Sequence, residues 1–150
     1  MMRKLLLIMT IILTQAVGVA CAQGIVEGTD STTWNSMIDA IIFIESRGNP
    51  KAVGGNSVGI LQITPICVRE ANAILKQRGE KRSFTYQDRY NVQKSKEMFE
   101  LIQSKYNPNR NIERAIRLWN GGPNYGIRST QGYYNKVMGQ LKKLLEKKTM

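Results

Sequence analysis

Five stretches of this chain place apolar residues three and four apart and none alternates with period two, so the sequence specifies helices and no sheet. The first carries Trp34, Met37, Ile38, Ile41, Ile42 and Ile44 behind the N-cap candidates Asp30, Ser31, Thr32 and Thr33. A second opens with Thr64 as N-cap and Pro65 at the first helical position, and is expected to turn Ile66, Cys67, Ala71, Ile74 and Leu75 inward. The third spans about Asp88 to Tyr106, with Val92, Ser95, Met98, Phe99 and Ile102 as its stripe, until Asn107-Pro108 stops it. Asn111 caps a shorter helix bearing Ile112, Ala115, Ile116 and Trp119, and a last one, from about Gly132 to Lys147, buries Tyr133 or Tyr134, Val137, Leu141 and Leu144. Two Gly/Asn-rich loops interrupt the series: residues 46–59, with four glycines, two asparagines and Pro50, and the stretch NGGPNYG after the fourth helix. A chain of 150 residues can bury one core, so the expectation is an all-α, compact single domain.

The N-terminus has a different character. Arg3 and Lys4 precede an apolar run from Leu5 to Leu13 and then small residues, the layout of a secretory signal peptide over residues 1–22, leaving a domain over 23–150. Ala20-Cys21-Ala22 is an A-x-A cleavage site that releases a free protein; Val19-Ala20-Cys21 also resembles the end of a lipobox, which would lipidate Cys21 and is the only membrane attachment expected. Either route places the domain outside the cytoplasm, in the periplasm or cell envelope. Cys67 then has no partner for a disulfide and fits a small buried hydrophobe. The absence of histidine excludes Ser-His-Asp and Cys-His catalysis and His-based zinc sites. The formal charge is +11, two less once Arg3 and Lys4 leave with the leader, and draws the protein to anionic surfaces such as cell-wall polymers. No basic helix or aromatic-basic motif points to nucleic acid; the tail KKLLEKK, with its leucines at helical spacing, is the solvated face of the last helix.

One carboxylate stands out. Glu45 ends the run Ile41-Ile42-Phe43-Ile44, and Ser46, Gly48, Asn49 and Pro50 break the helix at once. A carboxyl against apolar groups stays protonated to higher pH, as a general acid requires, and a helix C-terminus adds to that tendency. A glutamate that simply turns to solvent at a helix end fits the same residues.

The surrounding motifs extend this. Glu45-Ser46, Asn49-Pro50-Lys51-Ala52, Gly59-Ile60-Leu61-Gln62 and Pro65 resemble, in residues and spacing, the first two motifs of the soluble-type (SLT-domain) lytic transglycosylases, goose-lysozyme-like enzymes that cleave peptidoglycan. Leu118-Trp119-Asn120-Gly121-Gly122 is similar to the family's A-Y-N-x-G, with Leu for Ala and Trp for Tyr. Residues 129–137, Ser129 to Val137, are similar to its E-T-x-x-Y-V-x-x-V, with Ser129 for Glu and Tyr134 for Val. The resemblance covers roughly residues 34 to 138 in order and implies a lysozyme-like fold.

It also implies a reaction. Glycosidases normally use two carboxyl groups, whereas this family uses one. Glu45 would protonate the glycosidic oxygen between N-acetylmuramic acid and N-acetylglucosamine, then take the proton of the muramic C6 hydroxyl as that oxygen closes on C1 to a 1,6-anhydro ring. No metal or organic cofactor is implied. Ser46, Gln62, Asn120 and Tyr133 would bind substrate, Tyr133 also touching Glu45, while Gly59 and Gly121 would let backbone approach the glycan. Ser46 as a helix terminator, and Tyr133 and Trp119 as core, are the plainer alternatives, and Asp88 is a cap. A muramidase of the same fold that adds water would need a second cleft carboxylate. A non-catalytic glycan-binding adaptor of an envelope-spanning secretion or conjugation machine is the third reading, and by its small size the domain resembles transglycosylases that serve such machines.

Overall fold

Local chemistry sets where each helix begins. In the computed structural model, which describes residues 30–149, Asp30 caps helix α1 (Ser31–Ser46) by accepting from the Thr33 amide at 2.9 Å. Thr64 caps α2 (Pro65–Gln77) through the Cys67 amide, Asn91 caps α3 (Val92–Tyr106) through that of Lys94, and Asn111 caps α4 (Ile112–Gly121) through that of Arg114. The last helix is α5 (Ile127–Thr149). The leader and Cys21 lie outside the described residues.

Two boundaries differ from the sequence reading. Asp88 does not begin α3: it accepts the Thr85 amide at 2.8 Å within a 3₁₀ turn, Tyr86–Tyr90, and Asn91 starts the α-helix after it. The last helix begins five residues before Gly132, because Thr130 and Ser129 return their hydroxyls to the Gly126 carbonyl and close its first turn. The loop after Glu45 also holds a two-stranded antiparallel hairpin, β1 (Val53–Gly54) with β2 (Ser57–Val58), too short for any period-two pattern to register.

The core forms where α1 packs on α5, α4 on α5 and α2 on α3. Trp34, Met37, Ala40 and Ile41 of α1 are fully enclosed, with Leu61, Ile74, Leu75, Met98, Phe99, Ala115, Ile116 and Val137 around them. An aromatic row crosses it, Trp34 to Phe99 at 6.4 Å and Phe99 to Trp119 at 4.8 Å between ring centroids, both tilted. Among the described residues, Arg117 is the one charged side chain in the buried interior. At 2% exposure its guanidinium donates to Glu113, the Ile127 carbonyl, Thr130 and Gln131 and lies 4.4 Å from the Tyr134 ring centroid, so it clasps α5 to α4. Ile66 departs from its expected burial. It is 68% exposed because α2 turns its Ala71, Ile74 and Leu75 face to the core, and that leaves Ile66 outside.

Candidate active site

Glu45 occupies the last turn of α1, where Arg47 takes a left-handed conformation (φ 54°) and ends the helix. The chain then folds back, and the Ser46 hydroxyl donates to the Ile60 carbonyl at 2.8 Å, tying the helix end to the far side of the loop. A cavity of about 420 Å³ opens beside this junction. Glu45, Gln62 and Asn120 line it, with the cap residue Thr64, Ile66, Cys67 and Glu70 of α2, Tyr106 of α3, and Trp119 of α4.

The Tyr133 hydroxyl, from α5, donates to Glu45 Oε1 at 2.6 Å across 88 residues of sequence. Burial pushes the Glu45 carboxyl above the ordinary carboxylate range, and the Tyr133 bond, which favours the anion, opposes part of that rise. Burial and the adjacent carboxylate push the Tyr133 phenol upward, so it stays a donor. Oε1 is thus committed to Tyr133, while Oε2 accepts no bond from the described residues. A carboxyl held in this way can give a proton from one oxygen while the other stays fixed.

The remaining motif residues divide. Gln62 sits in the left-handed region (φ 49°) and folds its amide onto the Gly59 carbonyl at 3.0 Å, with the Ala52 carbonyl at 3.4 Å. Gly54 permits this, since a Cβ there would stand 2.5 Å from Gln62 Oε1. Asn120 is exposed at the opposite rim. Ser46 and Gly59 border the loop and not the cavity. At Gly59 (φ +77°) a Cβ would lie 1.9 Å from the Arg89 carbonyl, so the close approach there is to the protein's own 3₁₀ turn. Gly121 likewise makes room for Tyr125 and Thr130. Trp119 is both core and wall: one side packs on Phe99, its Nε1 donates to the Leu61 carbonyl at 3.3 Å, and it also faces the cavity.

Sequence reasoning did not find the α2 wall. Cys67 lines the cavity with a thiol that burial, and secondarily Glu70, push up to about 12, so it stays protonated and unreactive. Glu70 is a second carboxylate in the same cavity. It follows Ile66 by four residues and so shares that residue's helix face, which the sequence reading turns inward.

The helical architecture, with Glu45 in a cleft between its helices, is that of the lysozyme-like fold class. The sequence model of the family described as Transglycosylase SLT domain matches residues 25–138, and the chain belongs to that family. Members of this family are lytic transglycosylases and act on peptidoglycan. No curated protein and no solved structure gives a significant match. Among the described residues, no helix is long and apolar enough to cross a membrane.

Proposed function

We propose that the protein is an exported lytic transglycosylase that cleaves the β-1,4 bond between N-acetylmuramic acid and N-acetylglucosamine without water. The observation that carries this is Glu45, lining the cleft with its carboxyl raised by burial and one oxygen held by Tyr133. The acid form donates its proton to the bridging oxygen as the C1–O bond breaks, and the departing sugar leaves as an alcohol. The substrate's acetamido oxygen stabilises the cation at C1. Glu45, now ionised and accepting from Tyr133, removes the proton of the C6 hydroxyl as O6 bonds to C1. Internal attack uses a nucleophile already in place, an entropic advantage over an incoming water. Gln62 and Asn120 serve the sugar hydroxyl and acetamido groups, Ser46 and Gly59 hold the loop that carries Gln62, and no metal or organic cofactor takes part.

Glu70 favours a second reading, a muramidase in which that carboxylate activates water. Against it, Lys105 and Tyr106 hold Glu70 below the usual carboxylate range, which weakens it as a base. Export by the 1–22 leader, lipidation at Cys21 and service to an envelope-spanning machine belong to this proposal on the sequence alone.

Incubating the mature chain and Glu45→Gln with peptidoglycan, and weighing the released sugars by mass spectrometry, tests both readings. Anhydro-muramyl products that vanish with the substitution are expected. Products heavier by one water would make the enzyme a muramidase, and a folded Glu45→Gln protein that keeps most of its turnover would remove Glu45 from the reaction.

A further inference from the structure

The two carboxylates of the cleft stand in opposite surroundings, which push their proton affinities apart. Glu45 is desolvated and accepts one neutral donor, whereas Glu70 receives both Lys105 Nζ and Tyr106 OH on Oε1, each at 2.7 Å. Lys105 also lies 4.9 Å over the Tyr106 ring, so ammonium, phenol and carboxylate brace one another. The Lys105 bond first, and the Tyr106 bond second, keep Glu70 ionised below the usual carboxylate range. Its Oε2 accepts nothing from the described residues, and its side chain remains 32% exposed on the cavity wall. A simple tie between α2 and α3 would not need to stand in a cleft.

We propose that Glu70 binds the substrate, its free Oε2 accepting a hydrogen bond from a hydroxyl or acetamido N–H of a sugar ring seated beside the one at Glu45. This rests on the reading of the cavity as a glycan site. A charged acceptor makes a stronger bond than a neutral one, and two donors on Oε1 fix where Oε2 points. The sugar meets that oxygen equally in the ground state and in the transition state, so the contact governs binding and not the chemical step.

The test compares the unaltered chain with Glu70→Gln in peptidoglycan cleavage, in thermal melting, and in calorimetric titration with the N-acetylglucosamine tetramer. The expected result is a KM raised about tenfold, tetramer affinity lowered by about the same factor, kcat within about twofold, and the same products. A kcat falling about a hundredfold at constant KM would overturn the inference and move Glu70 into proton transfer. Unchanged KM and affinity, with or without a lower Tm, would also overturn it and leave a structural tie. If the unaltered chain itself neither cleaves the polymer nor binds the tetramer, the glycan reading fails and the inference falls with it, an outcome distinct from any effect of the substitution.

Discussion

Replacing Gly59 by alanine puts a methyl carbon 1.9 Å from the carbonyl oxygen of Arg89, in a backbone conformation (φ +77°) that L-residues resist. The conformational cost is about 1–2 kcal/mol. The overlap is with backbone and not with a flexible side-chain tip, so the loop and the 3₁₀ turn must separate. That strains the bonds joining them, from Arg89 Nη1 to the carbonyls of Asn56 at 3.1 Å and Ile63 at 3.2 Å, each worth about 1 kcal/mol net. The sum is about 3–4 kcal/mol, which at about 3 °C per kcal/mol for a chain of this size lowers Tm by about 10 °C. Gly55→Ala is the control: it shares the left-handed backbone (φ +63°) but has open space at its Cβ, so only the conformational cost applies, a loss of about 3–6 °C. Thermal denaturation followed by circular dichroism measures both. Equal losses in the two variants would refute the argument that Gly59 is required by packing on Arg89.

Tyr133→Phe removes the donor that favours the Glu45 anion, so the alkaline limb of kcat/KM, which reports the acid form, moves to higher pH; a pH-rate profile whose limb stays or moves down contradicts the assignment. Because the folded-state pKa of Glu45 is raised, its contribution to stability is full at low pH and is lost as pH rises through that raised value. Glu45→Gln should therefore match the unaltered chain in Tm near about pH 4 and exceed it near about pH 8, as melting in a buffer series would show. Arg117→Lys keeps the charge but cannot reach Glu113, Ile127, Thr130 and Gln131 together, so it should cost about 2–3 kcal/mol and lower kcat through the displaced α5, read from melting and turnover.

Much of this architecture was legible in the chain because it depends on local pattern. Capping residues at Asp30, Thr64 and Asn111 and the spaced apolar stripes fix helices wherever they occur, and the turn after Glu45 announces itself by composition, whereas at the third helix Asp88 stood in for the actual cap, Asn91. What escaped depends on neighbours distant in sequence. Ile66 reads as core by hydropathy, yet the face of α2 that holds Ala71, Ile74 and Leu75 leaves it at the cleft. Glu70 has no motif to mark it; its character comes from Lys105 and Tyr106, more than thirty residues on. Gly59 and Gly121 show that glycines in a cleft motif can answer to packing inside the protein, a distinction that requires coordinates.

The bond between Tyr133 and Glu45 joins the first described helix to the last. A chain emerging in order from a ribosome makes α1 early and then carries Glu45 through the synthesis of three further helices before its partner exists. During that interval the glutamate is an ordinary solvated side chain, because α5, which packs against α1, has yet to cover it. Contacts of such long sequence separation form late, since a large loop must close first. The buried, Tyr133-bonded state of Glu45 therefore arises with the final docking event, and under the proposed reaction a polypeptide cut between residues 122 and 133 would hold the earlier motifs without the surroundings that make Glu45 an acid.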